Sequence, residues 1–242
     1  MATRPMEPLE VEAPDVSGIA TEDDTPVDNI LSEKQQRLLT EPLYSSWSGP
    51  PPEDGGPARD FAVLANVGVF ATPREPPLVP DVMLSLDVTI RPELAEKRNR
   101  SYFVWEFGKT PDVVIELVSG TEGGELGEKL RGYRRLRIAH YVVYDPLAQL
   151  GPKRLLVFEL RGDLYVALDR AWFPGVGLGL GEWDGPFEGT KGRWLRWCDA
   201  DGAPVATGAE RAEEEHQRAE EEHQRAERLA ARLRALGEDP NQ

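Results

Sequence analysis

Glu116 is an isolated acid in an apolar run. DVVIELVS (112–119) surrounds it with Val113, Val114, Ile115, Leu117 and Val118. A carboxylate in such a segment is costly unless it is paired or bound to a metal. Asp81 follows Pro80 in the strand-like segment LVPDVMLSLDV (78–88), although Pro-Asp is also a common turn dipeptide. On adjacent strands, two such carboxylates could ligate one Mg²⁺, or Mn²⁺. These hard ions take oxygen ligands, and Mg²⁺ keeps several waters. Lys129 lies on the following helical segment. With about 100° per residue and Leu126 as origin, Leu130 falls at about 40°, Tyr133 at about 340°, Leu136 at about 280° and Lys129 at about 300°. The lysine is therefore turned toward the sheet. There its ammonium could polarise a scissile phosphate or position an attacking water. The plainer alternatives are a Glu116 at a wet edge or paired with an arginine, and a Lys129 whose stem lies on apolar surface while its head reaches water. On the other helix face Arg131, Arg134 and Arg135, with Arg137 at the end, read first as a solvated cationic face near a helix C-terminus.

These residues need a scaffold. The near-continuous apolar run around Glu116 predicts a central strand covered on both faces. A helix over 121–137 and a second buried strand, AHYVVYDP (139–146), follow it. The strand–helix–strand order implies a parallel pair with a helical crossover, hence a mixed α/β sheet. Upstream, 61–72 reads as a strand or two short strands, 89–100 as a loop and 102–107 as a short strand. Downstream, 154–168 reads as a hairpin, and the Gly- and Trp-rich 171–203 as a capping hairpin with loops. Near the start, 31–40 suggests a short helix with Ser32 as N-cap and Glu33 in its first turn, and 48–58 suggests a loop.

Three regions result: an acidic, Pro-rich segment 1–30 expected to be disordered, a core domain 31–206, and a charged helical tail 207–242. The tail repeats RAEEEHQ at 211–217 and 218–224, with RAERLAA at 225–231. The period of seven suggests either a solvated single helix or a weak coiled coil, because Ala and Glu at the repeating positions bury little apolar surface. The formal net charge is −15. An acidic protein is repelled by nucleic-acid phosphates. Yet residues 41–206 carry 19 basic and 24 acidic residues, so most of the acidity lies outside the core. A lone Cys198, no apolar run approaching roughly 18 residues and no apolar segment near the N-terminus lead to the expectation of a cytoplasmic protein with no membrane association.

At VPDVMLSLDV and at SYFVWEFGKTPDVVIELVSGTEGGELGEKLRGYRRLRIAHYVVYDP the chain resembles the Uma-two family of restriction-endonuclease-like proteins, placed in the PD-(D/E)XK nuclease superfamily. The resemblance covers roughly 60–230, with 111–146 its most specific block. It implies a restriction-endonuclease-like mixed β-sheet flanked by helices. It also implies a Mg²⁺- or Mn²⁺-dependent endonuclease acting on DNA, with Asp81 and Glu116 as the motif acids and metal ligands. The motif expects its lysine two residues after the second acid, where Val118 stands. In this family the lysine is thought to have moved to the next helix, where Lys129 fits. Asp112 also recurs in the resemblance, as a cap of the strand entry or an additional ligand. Nucleases that cut both strands are often dimers, so a homodimer aided by the heptad tail is a further expectation. The rival reading is a catalytically inactive nuclease-fold protein acting as an interaction or regulatory module.

Other motifs carry less. GVGLGLG (175–181) lacks the strand-to-helix setting of a dinucleotide loop. Ser119 follows a strand without a nucleophile elbow. His140 reads as a packed histidine, and His216 and His223 are too sparse to argue for a metal.

Overall fold

Residues 29–50, 58–119 and 124–235 are described in the structure, a computed structural model. The expected disordered segment therefore lies, up to residue 28, outside the described residues, as do 51–57, 120–123 and 236–242.

The first helix, α1 (Ile30–Ser46), is longer than the sequence suggests. Its N-cap is Asn29, whose side chain accepts the Ser32 backbone N–H at 2.9 Å. Ser32 is instead a buried residue of the first turn. The helix also runs through Pro42, which costs a backbone hydrogen bond. Leu38, Leu39 and Leu43 are fully buried around that point. Packing of this apolar face sustains the helix where local propensity would end it.

A six-stranded sheet forms the centre, ordered β1 (Phe61–Ala65), β3 (Val82–Leu86), β5 (Val113–Leu117), β6 (His140–Tyr144), β7 (Leu155–Arg161) and β8 (Leu164–Leu168). Between β1 and β3 comes the short β2 (Val69–Phe70), which pairs in parallel with β4 (Tyr102–Phe103). Only β5 and β6 run parallel within the large sheet, as the strand–helix–strand order requires; its other pairs are antiparallel. Every residue of β3 and β5 is buried. Period-two alternation splits them between two cores. Val113, Ile115 and Leu117 face α1 and the Trp197 side, whereas Val114 and Val118 join Met83, Tyr133 and Tyr141 on the opposite face. Glu116 alternates onto this second face.

Three expectations need correction. Residues 102–107 are not one strand: β4 is followed by a single helical turn, α2 (Val104–Phe107), closed by Gly108 at φ 72°. The strand near 78–88 shrinks to β3, so Asp81 is its lead-in residue. The crossover helix is interrupted. A π turn over Glu125–Lys129 precedes α3 (Leu130–Arg135), with the Lys129 N–H bonded to the Gly124 carbonyl at 3.0 Å. Beyond the sheet, β9 (Trp172–Phe173), β10 (Leu178–Phe187) and β11 (Thr190–Cys198) make a three-stranded sheet. It packs on α1, where the Trp197 indole donates to the Leu39 carbonyl at 2.8 Å. The repeat forms one helix, α4 (Gly208–Ala235).

Candidate active site

Strand register assembles the site. In the antiparallel β3–β5 pair Val82 faces Ile115. One step outward, Asp81 comes opposite Glu116, at the start of β3 and the end of β5. The two acids share one end of the sheet although 35 residues separate them. Gly132 on α3 lets the helix approach this corner; a Cβ there would stand 2.9 Å from Leu78, three residues before Asp81.

Glu116 has no solvent exposure. Its Oε1 accepts the Tyr133 hydroxyl at 2.5 Å and its Oε2 accepts Lys129 Nζ at 2.8 Å. Asp81 Oδ2 accepts the Leu117 backbone N–H at 2.7 Å, and Oδ1 accepts Gln36 Nε2 at 3.2 Å. Gln36 in turn exchanges hydrogen bonds with the Asn66 amide. Burial pushes the Glu116 carboxyl up to about 8. The charge on Asp81 acts in the same direction, while Lys129 and the Tyr133 hydroxyl oppose it. Burial also raises Asp81, against the lowering effect of the Leu117 N–H and Lys129. For Lys129 burial works downward, but Glu116, Asp81 and Glu125 outweigh it and hold the ammonium above its usual range. A lysine thus lies between acids whose charged forms are costly without a cation.

The structure brings Asp81, Glu116 and Lys129 together. It does not bring Asp112 to them. Asp112 precedes β5 at the strand's opposite end, where its Oδ2 accepts the Leu86 N–H at 2.8 Å and Lys109 at 2.6 Å. It fastens the strand entry, and its reading as a ligand beside Asp81 and Glu116 is corrected accordingly. Val118, at the ordinary lysine position, is buried in the core. His140 packs edge-on against Phe173 at 4.8 Å between ring centroids. Cys198 is buried.

Three neighbours escaped the sequence reading. Gln36 sits in LSEKQQRLLT, where a polar pair on a helix reads as solvent-facing. Tyr133 registers only as part of an apolar arc, which hides its hydroxyl. Glu125 is the third. The wheel places Leu126 inward, yet Leu126 is 45% exposed and Glu125 only 4%. A π turn is wider than an α turn, so each residue advances by less than 100°. Glu125 Oε1 stands 3.7 Å from Lys129 Nζ, and its buried Oε2 has no hydrogen-bond partner among the described residues. The i,i+4 spacing to Lys129 was the available signal.

Among the described residues no group of three His, Cys, Asp or Glu side chains is arranged to hold a metal. The donor set nonetheless fits a hard divalent cation that takes two carboxylates and completes its shell with water or substrate oxygens. No helix among the described residues is long and apolar enough to cross a membrane.

A family model for Uma2, described as "Putative restriction endonuclease", matches residues 12–171. The match begins inside the acidic N-terminal segment and ends before β9, so it covers the six-stranded sheet and the whole of the site. Among curated proteins none matches the chain.

Proposed function

The chain belongs to the Uma2 family, and from that premise we propose that it is a divalent-metal-dependent endonuclease of the PD-(D/E)XK type that hydrolyses phosphodiester bonds in DNA. The observation that carries this reading is the carboxylate pair of half-buried Asp81 and fully buried Glu116, opposed across two strands with Lys129 Nζ 2.8 Å from Glu116.

Asp81 and Glu116 would hold Mg²⁺ or Mn²⁺, which when bound supplies positive charge at the scissile phosphate and a more acidic water. Leu117 N–H and Gln36 fix the Asp81 carboxylate, and Tyr133 fixes one oxygen of Glu116. Glu125, whose Oε1 stands 3.7 Å from Lys129 Nζ, would hold the ammonium charged beside the substrate if the second Glu116 oxygen were taken up in holding the metal. Lys129 there stabilises negative charge on the phosphate as a water oxygen bonds to phosphorus and one ester P–O bond breaks. The attacking water gives up a proton to solvent and the leaving oxygen takes one up, so that one water is added across the ester bond overall.

The overall charge of −15 is the observation that favours the alternative, a nuclease fold that recognises a partner without cutting DNA. Plasmid nicking with Mn²⁺ separates the two. Nicking by the wild type and none by Glu116→Ala supports the enzyme. Intact plasmid from both proteins, across metals and substrates, sinks it.

A further inference from the structure

We propose that α4 is a self-association element that pairs with α4 of a second copy in antiparallel orientation. The first turn of the helix is clamped to the domain. Arg196, 3% exposed, grips Glu210 through two hydrogen bonds of 2.9 and 2.6 Å and lies 4.7 Å from the Trp183 ring. Thr207 and Glu210 form a reciprocal capping box, with Thr207 N–H on Glu210 Oε2 at 2.8 Å and Glu210 N–H on Thr207 Oγ1 at 3.1 Å. The Gly208 N–H donates to Glu41 Oε1 at 2.9 Å, and the Arg211 guanidinium donates to the Ser45 carbonyl. Past this clamp every residue from 211 to 229 is exposed. A helix held at its base, with no described residue covering it from 211 to 229, is built to project.

Its charge decides what it fits. Residues 213–222 hold six glutamates and one arginine, net −5. Residues 225–234 hold four arginines and one glutamate, net +3. Parallel pairing would set −5 against −5. Antiparallel pairing, crossing near residues 223–224, sets each acidic half on the partner's basic half, twice, by one two-fold axis. Ala212, Ala219 and Ala226 keep one strip of the helix slim, so the backbones can approach, and Leu229 adds apolar surface. The apolar contribution is small, so the association is driven by charge and weakened by salt. At ~1.5 Å per residue the two domains stand roughly 45 Å apart, at opposite ends of the pair. The inference is independent of whether the site cleaves DNA.

Sedimentation of the full chain tests it. The wild type is expected to dimerise at low ionic strength and to lose about tenfold or more in affinity at high salt. Arg225→Glu/Arg228→Glu/Arg232→Glu is expected to be monomeric, as is Glu213→Arg/Glu215→Arg/Glu220→Arg/Glu222→Arg. An equimolar mixture of the two variants is expected to restore the dimer, which shows that neither has lost its helix. Spin labels on Glu214→Cys, with the native Cys198 buried, are expected roughly 28 Å apart in the dimer. Contact-range labels at that position indicate parallel pairing and overturn the orientation. A wild type that stays monomeric at low salt, a mixture that fails to associate, or a monomer whose arginines retain DNA instead of a second copy overturns the proposal.

Discussion

Lys129 Nζ stands 2.8 Å from Glu116 Oε2, so an ammonium from the π turn caps a carboxylate that is wholly buried in the central strand. Several measurable consequences follow from this contact and from the groups around it.

Replacing Glu116 by Gln keeps the shape and removes the charge. The folded carboxyl lies at about 8 against an ordinary 4.5. Folding therefore disfavours its ionised form, and above pH 8 the metal-free variant is expected to be more stable than the wild type by about 1–3 kcal/mol. The same substitution is expected to remove the rise in melting temperature that Mn²⁺ gives the wild type. A variant that keeps that rise excludes Glu116 as a ligand.

The pH dependence has a definite sign. A carboxyl raised by folding contributes stability that is fully present below its unfolded value and is lost as pH rises through its folded value. For Glu116 that window runs from 4.5 to about 8. Metal-free wild type is expected to melt at progressively lower temperature across this range. The decline should be shallower in Glu116→Gln, and the difference isolates this group from the general effect of net charge. Parallel curves for the two proteins count against a buried, protonated Glu116.

Glu125→Gln removes the charge that, in the proposed mechanism, would receive Lys129 with a cation on Glu116. The Mn²⁺-dependent melting shift is expected to persist while nicking falls about tenfold to a hundredfold, with partial recovery in Glu125→Asp. Loss of both signals together would make Glu125 a part of the metal-holding set.

Gln36→Ala takes one donor from Asp81 and leaves the Asn66 amide without its buried partner. A destabilisation of about 1–2 kcal/mol is expected, with weaker Mn²⁺ binding by titration calorimetry. Unchanged affinity would confine Gln36 to a structural role.

Asp112→Asn separates the strand entry from the site. Its contacts with Leu86 N–H and Lys109 predict lower thermal stability with an unaltered Mn²⁺ shift. A vanished shift would restore Asp112 as a ligand.

Much of this was legible locally. A continuous apolar run marks a doubly covered strand, because both faces must be apolar wherever both are buried, and a single acid in that run marks a costly group. The run around Glu116, the strand after it and the parallel pairing of β5 with β6 follow from composition and order alone. So does the helical repeat of α4, whose period and charge segregation are written along the chain. The rest depends on residues distant in sequence. Gln36 meets Asp81 across 45 positions, and Tyr133 reaches Glu116 across 17. No local pattern records such contacts, since they arise only when α1 and α3 pack on the sheet. The π turn is the sharpest case. Sequence periodicity assumes a fixed rotation per residue, and the turn changes that rotation, exposing Leu126 and burying Glu125. The sequence by itself determined which strand holds the isolated acid and that the lysine turns toward it. Only the tertiary structure decided which other polar groups surround the pair, because helix packing and backbone hydrogen bonding set those positions.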